Sequence, residues 1–235
     1  MPVFSPAELT AIALSLKVAA VAALASLPPG IAVAWLLARR RFPGKALLDA
    51  LVHLPLVLPP VVVGYALLVV FGSQGTVGGF LEERFGIGFA FRWTGAALAC
   101  AIMGFPLMVR AIRLSIESVD RRLEQAAATL GASPWRVFAT ITLPLAWPGI
   151  VAGAVLAFAK ALGEFGATIT FVSNIPGETQ TISSAIYGLM QVPGGELGIW
   201  RLAAVAVAIS LVALLASEWL VRRQHQGRHD PGEDA

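Results

Sequence analysis

The stretch Leu123–Leu145, LEQAAATLGASPWRVFATITLPL, is the one long segment of this chain that is neither an uninterrupted apolar run nor a plain loop. Asp120 can cap a first short helix, because its carboxylate can accept a hydrogen bond from a free N–H of the first turn. Gly131 ends that helix, since only glycine adopts the left-handed cap conformation without steric cost. The sequence therefore predicts a short helix over 120–130 that stops at a glycine.

A second helix is predicted directly after this glycine. Ser133 can cap it, and Pro134 suits the first helical position, where a missing N–H leaves no bond unmade. The helix is expected to run into Leu143-Pro144. We call residues 120–145 the elbow. Its small alanines would let a partner surface approach the backbone closely, although a hairpin that only links two membrane spans would carry the same caps.

The composition is that of a protein with several membrane-spanning helices. Of 235 residues, 57% are hydrophobic and 13% are charged, and the mean hydropathy is +0.77, whereas soluble domains are about half apolar and about a quarter charged. The single cysteine, Cys100, allows no internal disulfide. The sequence has no Walker-type nucleotide motif, no catalytic triad, no metal-ligand cluster and no nucleic-acid-binding module, so we expect no cofactor or metal on this chain.

Long apolar runs predict an all-α protein with about five spans, because about 20 apolar residues cross a bilayer as a helix. Pro28-Pro29 predicts a break near the end of the first span, and Pro55 and Pro59-Pro60 predict interruptions of the second. Such breaks favour a bundle that lines a channel, although they could simply curve the helices. A Gly-rich loop is expected over 72–92 and a disordered tail over 222–235. The predicted spans are 9–38, 47–71, 93–108, 146–172 and 199–221.

Basic residues give the predicted orientation. Lysines and arginines number four in 39–45, five in 110–136 and three from Arg222 onward, against two in the opposing segments. Because cytoplasmic loops carry the excess of Lys and Arg, we predict a cytoplasmic elbow and C-terminus and an external N-terminus. The apolar stretch 182–190 is too short to cross, so we interpret it as a re-entrant or surface helix on the outer side. If it did span, the tail would lie outside and contradict the charge distribution.

Ionisable residues inside the predicted spans are candidates for function, because a charge in lipid is expensive. Lys160 and Glu164 are four residues apart, so they either neutralise each other on one helix or line a translocation path. Lys17 has no partner nearby in sequence. His53 could hydrogen-bond a carbonyl that a proline of the second span leaves free.

The elbow resembles the coupling motif of ABC-importer membrane subunits, in which E-A-A is followed by three residues, G, nine residues, I, one residue and L-P. The corresponding residues keep this spacing, with glutamine in place of the first glutamate and Glu124 directly before it. The resemblance implies a type I ABC-importer transmembrane domain over 9–221, whose elbow (coupling segment 120–145) receives motion from a cytoplasmic ATPase. The implied coupling residues are Glu124, Gln125, Ala126, Ala127, Gly131, Arg136, Ile141, Leu143 and Pro144.

Three further segments resemble the membrane subunits of molybdate importers in that family: RFPGK at 41–45, LPLVLPPVVVGYALLVVFG at 54–72 and GEFGATITFVSNIPGETQTISSAIY at 163–187. The resemblance implies a second copy of this chain, two cytoplasmic ABC ATPase subunits that bind ATP and magnesium, and an extracytoplasmic molybdate-binding protein. The chain itself would be a non-catalytic permease subunit of the inner membrane. Sulfate and tungstate permeases are the near alternatives. A gradient-driven secondary transporter would need matching internal repeats, which the sequence lacks.

Overall fold

The structure is a computed structural model that describes residues 4–226, with side chains described as far as residue 219. Over this part of the chain the regular structure is entirely helical, which confirms the predicted all-α class. One segment, Phe138–Thr142, is a π-helical turn. The helices are α1 (Pro6–Arg39), α2 (Lys45–Val57), α3 (Pro60–Phe71), α4 (Thr76–Phe85), α5 (Trp93–Glu117), α6 (Arg121–Thr129), α7 (Pro134–Val137), α8 (Leu143–Leu145), α9 (Trp147–Leu162), α10 (Gly166–Val172), α11 (Ile182–Leu189) and α12 (Glu196–Gln226).

Three of the described helices are long and apolar enough to cross a membrane: α1, α5 and the part of α12 up to Trp219. Two bent pairs pass the same test when each is counted as one span, namely α2 with α3 and the second helix of the elbow with α9. By length and composition the described chain therefore holds three to five spans, and the upper number equals the number predicted from hydropathy. The eight residues of α11 are too few to cross.

Helices α1, α5 and α9 form the centre of the bundle. Small residues let them approach closely: Ala19 and Ala22 of α1 share one buried cluster with Ala96 of α5. A Cβ at Gly104 of α5 would lie only 3.2 Å from the main chain of Ala157 in α9. Such contacts suit a membrane bundle, because close van der Waals packing takes the place of a hydrophobic driving force in lipid.

The predicted break at Pro28-Pro29 is wrong, because α1 continues as one helix with both prolines inside it. A proline removes one main-chain hydrogen bond and crowds the carbonyl four residues earlier. Buried contacts hold the helix on both sides of the pair, since Ala23 before it and Ala34 and Leu37 after it belong to one cluster with α5. Tertiary packing therefore outweighs the local cost of the prolines.

The second predicted span is bent by 113° between α2 and α3. The bend lies at Leu58 and Pro59, which confirms the predicted interruption at Pro59-Pro60. Pro55 lies inside α2 and does not end it, so the interruption predicted there is wrong.

The fourth predicted span is divided too, because α9 ends at Leu162 and α10 begins only at Gly166. The two divided spans pack against each other through α3 and α10. A Cβ at Gly64 of α3 would lie 2.5 Å from the carbonyl oxygen of Ala167 in α10. The contact between the divided spans thus depends on a glycine.

Helical structure is more extensive than predicted in three places. The segment 72–92 was expected to be a loop, yet it contains α4, which ends at Gly86 in the left-handed conformation with φ = +66°. α5 continues to Glu117, past the predicted end of the third span at residue 108. α12 continues to Gln226, so the prediction of a tail beginning at 222 is wrong for its first residues, and 227–235 lie outside the described residues.

Candidate coupling site

The elbow forms two short helices around a left-handed glycine, as the sequence predicts. Asp120 caps α6, and its carboxylate accepts a hydrogen bond from the main-chain N–H of Arg122 at 2.9 Å. Gly131 has φ = +85°, a conformation that other residues adopt only at a cost. The hydrogen bond from Ala132 N to Ala127 O, 3.1 Å long, closes the end of α6 across this glycine.

The second helix of the elbow contains a π-helical turn that the sequence analysis did not predict. Ser133 caps this helix by accepting a main-chain hydrogen bond at 3.4 Å, and Pro134 occupies its first turn. From Phe138 the helix widens, and Leu143 N donates to Phe138 O, five residues back. We attribute the widening to Pro144, which has no N–H for the carbonyl four residues earlier and whose ring crowds that carbonyl.

Glu124 points inward against the bundle. Its Oε1 accepts hydrogen bonds from Arg39 Nε at 3.1 Å and from Thr142 Oγ1 at 2.7 Å, and Arg39 Nη2 lies 3.0 Å from the same oxygen. Arg39 Nη2 also donates to the carbonyl of Val119 at 3.1 Å. The Arg39 and Glu124 side chains are only 9% and 17% exposed. This Arg39–Glu124–Thr142 cluster joins α1, α6 and the π-helical turn.

Sequence reasoning missed Arg39 and Thr142 as partners of Glu124. Arg39 lies 85 residues away from Glu124, and nothing in its local pattern distinguishes it from the neighbouring arginines. The only available signal was its place at the end of a span, where an arginine can reach a polar segment while its stem stays in apolar surroundings.

The remaining coupling residues divide into two groups. No residue of α6 is buried, and Ala127 is half-buried. Ile141 and Leu143 are half-buried, and Leu143 packs against the buried cluster that joins α1, α5 and α9. The exposed members of the motif are Gln125, Ala126, Gly131, Arg136 and Pro144. The elbow therefore exposes Gln125, the position directly after Glu124, and turns Glu124 itself inward.

Three large apolar side chains on the elbow are exposed. Leu130 is 89% exposed and Trp135 is 75% exposed, and Leu123 is also open to solvent. Exposed apolar residues on an otherwise polar segment are candidates for contact with another surface. The motif spacing does not distinguish these three residues, although apolar residues inside a charged, capped segment are themselves a signal.

The Lys160–Glu164 pair forms, but not within one continuous helix. Lys160 Nζ lies 2.6 Å from Glu164 Oε2, while α9 ends at Leu162, so Glu164 lies in the break before α10. Glu164 is 2% exposed, and its Oε1 accepts a hydrogen bond from Ala167 N at 3.0 Å. The carboxylate therefore balances the lysine charge and also satisfies a main-chain donor that the break leaves free.

Lys17 and His53 have partners of a different kind. Lys17 Nζ lies 3.5 Å from the centre of the Trp93 ring, a cation–π contact. His53 Nδ1 lies 2.8 Å from the carbonyl oxygen of Asp49. This carbonyl lies one helical turn before His53 and is not one that a proline leaves without its helical donor. The expected hydrogen bond to a carbonyl freed by a proline is therefore wrong. Asp49 is bound in turn by Arg113 Nη1 at 3.1 Å. Lys160 thus contacts Glu164, whereas no ion pair or side-chain hydrogen bond within the described residues joins Lys17 or His53 to this pair.

Metal-ligating side chains are not grouped in the part of the chain that the structure describes. No set of three or more His, Cys, Asp or Glu residues there could hold a metal ion. His229 and the side chain of His225 lie outside the described residues.

Residues 30–226 match the family described as "Binding-protein-dependent transport system inner membrane component". The Molybdenum transport system permease protein ModB of Escherichia coli K12 is 65% identical, over 94% of this chain and 97% of the relative. ModB of Haemophilus influenzae is 59% identical, over 93% and 96%. A probable sulfate transport system permease protein, cysT of Chlorella vulgaris, is 36% identical, over 89% of this chain and 78% of the relative.

Solved structures with the same fold are ABC transporters. A bacterial ABC transporter involved in the import of the acidic polysaccharide alginate aligns with a TM-score of 0.70 at 22% identity, over 94% of this chain and 80% of that one. The MetNI methionine ABC transporter in an inward-facing conformation aligns with a TM-score of 0.70 at 15% identity, over 91% and 94%. This chain therefore belongs to the inner membrane components of binding-protein-dependent transport systems and has the fold of an ABC-importer transmembrane domain.

Proposed function

We propose that this chain is the permease subunit of an ATP-driven importer that carries molybdate across the cytoplasmic membrane. The observation that carries the substrate assignment is the 65% identity, over nearly the whole of both chains, to a molybdenum transport permease. The probable sulfate permease is more distant at 36% identity. Sulfate and tungstate remain the alternatives to test, because all three are tetrahedral dianions.

The importer would contain a second copy of this chain, two cytoplasmic ABC ATPase subunits and an extracytoplasmic molybdate-binding protein. The family description supports a binding protein. The lack of a nucleotide motif in this sequence supports ATP and magnesium being bound by the ATPase chains. In the described part of α12, only 6% of the most apolar 18-residue stretch is buried. The surface of this helix is therefore available to lipid or to the second copy.

The elbow would transmit ATPase motion to the bundle. Gln125, Ala126, Gly131 and Arg136 are the proposed contact residues, because they are exposed around a glycine that sets the angle between two helices. Glu124 would act as a positioning residue that links α6 to Arg39 of α1. Movement of α6 would then reach the long helix α1 directly through an ion pair.

The proposed orientation keeps the elbow and the C-terminus in the cytoplasm and the N-terminus outside, as the distribution of Lys and Arg supports. Labelling tests it: Gly131→Cys in a Cys100→Ala background should react with a membrane-impermeant thiol reagent only after the cells are opened. Reaction in intact cells would contradict both the orientation and the coupling role.

The four intramembrane residues keep a proposed role near the translocation path. Lys160 and Glu164 are the strongest pair, since they lie at the break between α9 and α10, where the divided spans meet. Lys17 and His53 would contribute only through the field that they exert on a passing anion.

The direct test of function is reconstitution. The chain is purified together with candidate ATPase subunits, and ATP hydrolysis is measured in vesicles that contain the binding protein loaded with molybdate, tungstate or sulfate. Molybdate should stimulate hydrolysis and enter the vesicles. Stimulation by sulfate alone would reassign the substrate, and uptake that is insensitive to ATP depletion would contradict the ATP-driven mechanism.

A further inference from the structure

An apolar groove of about 550 Å³ lies between the C-terminal half of α1 and the second helix of the elbow. Three aromatic rings form part of its wall. The Trp35 and Phe138 ring centres are 5.7 Å apart, and the Trp135 and Phe138 ring centres are 5.5 Å apart. All residues that line it are apolar, among them Pro28, Ile31, Trp35, Pro134, Trp135 and Phe138.

A polar pocket of about 340 Å³ adjoins this groove, and Trp35, Pro134 and Phe138 line both. Arg40 and Arg121 line the polar pocket and are exposed. The Arg40 guanidinium carbon lies 5.2 Å from the Trp35 ring centre. No carboxylate within the described residues forms an ion pair with Arg40 or Arg121, whereas the third arginine of the pocket, Arg39, is neutralised by Glu124. One continuous surface thus changes from apolar to cationic.

The predicted first span places the α1 side of the groove at the depth of the bilayer. Its α1 residues run from Pro28 to Leu36, which is about 12 Å along a helix axis. The predicted span ends at residue 38, so Arg40 and Arg121 lie where the hydrocarbon gives way to water. Tryptophans such as Trp135 are enriched at that boundary.

We propose that the groove holds an acyl chain of an anionic phospholipid, whose phosphate is bound by Arg40 and Arg121. A guanidinium binds phosphate oxygens through two parallel hydrogen bonds, and two guanidinium groups favour an anionic headgroup over one that carries its own ammonium. The lipid would contact α1 and the elbow together, so the composition of the bilayer would affect coupling. This inference does not depend on which anion the importer carries.

The test uses the whole importer with its ATPase subunits in nanodiscs that contain phosphatidylcholine and phosphatidylglycerol. Native mass spectrometry after transfer to detergent counts the lipids of each kind that remain bound. We expect phosphatidylglycerol to be retained in preference. Arg40→Gln with Arg121→Gln should lower that preference about 10-fold, the change that about 1.4 kcal/mol of lost binding produces. Equal retention of both lipids by the unmodified importer would overturn the proposal.

Two controls match these variants. Arg41→Gln with Arg122→Gln removes the same charge from exposed neighbours that line neither pocket, so the preference should stay unchanged; a loss equal to that of the first pair would show a general charge effect and contradict the site. Inorganic phosphate in excess should not displace the lipid, because the acyl chain supplies part of the binding.

A third variant fills the groove with a large side chain from α1. Ala32→Trp should exclude the lipid whatever its headgroup, and Ala13→Trp, at an exposed position of α1 away from the groove, should not. If Ala32→Trp instead separates the copies of the chain and leaves lipid retention unchanged, the groove is an interface with a second copy and the proposal is wrong.

Discussion

The chain interrupts its helices in two contrasting surroundings, at Gly131 in the elbow and at residues 163–165 between α9 and α10. At Gly131 the backbone is exposed, the hydrogen bond from Ala132 N to Ala127 O closes the end of α6, and Ser133 caps the helix that follows. Between α9 and α10 the break lies in the bundle, and a buried carboxylate from Glu164 satisfies the free N–H of Ala167.

The difference shows how surroundings decide what a helix break requires. In water a single glycine and one short polar cap are enough, because solvent hydrogen-bonds to the remaining main-chain groups. Inside the bundle a polar group must come from the protein, and a charged one must be neutralised, which Lys160 does at 2.6 Å. The exposed break can therefore change its angle at low cost, whereas the buried break is held by strong contacts.

The largest expected effect follows from removing the carboxylate at the buried break. Glu164→Leu leaves Lys160 without its counter-ion and Ala167 N without an acceptor, so we expect a loss of up to about 3 kcal/mol, the lower end of the range for a broken buried pair because Lys160 is partly exposed. Thermal unfolding of the purified protein measures it.

Two comparisons control this prediction. Glu83→Gln removes an exposed carboxylate from α4 and should leave the unfolding temperature unchanged. Replacing both Lys160 and Glu164 by leucine should recover part of the loss, because no unpaired charge remains. An unchanged unfolding temperature for Glu164→Leu alone would show that the ion pair does not hold the break.

The second effect concerns the Arg39–Glu124–Thr142 cluster, which is less buried than the break at Glu164 and less exposed than the break at Gly131. Glu124→Ala and Arg39→Ala should each lower stability by about 1–2 kcal/mol, and a double-mutant cycle should show a favourable coupling of about 1 kcal/mol between them. Gln125→Ala, one residue away, should leave the unfolding temperature unchanged but weaken recovery of the ATPase in co-purification. Additive effects in the cycle would contradict a direct ion pair.

A smaller effect on stability, but a large one on transport, is expected at the exposed break. Gly131→Asp should leave membrane insertion intact and uncouple ATP hydrolysis from uptake, because a side chain at φ = +85° costs about 1 kcal/mol even for Asp and favours a different angle of the elbow. Parallel assays of ATP hydrolysis and anion uptake check this. Gly177→Asp is the matched control, since Gly177 has φ = +81° and equally open space; normal uptake by the Gly131 variant would count against the coupling role.

The smallest effect is expected from the cap of α6. Asp120→Ala removes the acceptor of the Arg122 N–H and should cost about 1 kcal/mol, whereas Asp120→Asn should cost much less. Hydrogen exchange of the α6 amides measures the change locally. Faster exchange spread over α9 and α10 as well would show that the exposed and buried breaks are not independent.

Features that depend on neighbouring residues could be predicted from the sequence. Asp120, Ser133 and Gly131 form the caps that their residue types favour, and Pro59-Pro60 interrupts the second span. α4 was missed although a local signal was available, because Gly86 ends it in the conformation that favours glycine.

Features that depend on packing between distant segments could not be predicted. Pro28-Pro29 stays helical because contacts with α5 hold α1 on both sides, and no local rule contains those contacts. In the candidate site, the motif spacing predicted which residues lie on the elbow but not which way Glu124 faces, since that depends on Arg39 in another helix. The orientation of one side chain thus separates the proposed contact residues from the residue that positions them.

The wide turn between Phe138 and Thr142 has a consequence for the spacing that identifies the motif. A π-helical turn takes up one residue more than an α-helical turn, so it accommodates the nine residues between Gly131 and Ile141 without changing the rotational phase of the positions on either side. Thr142 therefore still meets Glu124, 2.7 Å away. The same number of residues wound as an ordinary α-helix would rotate every position before the turn by about 100° relative to α9 and would separate the two side chains.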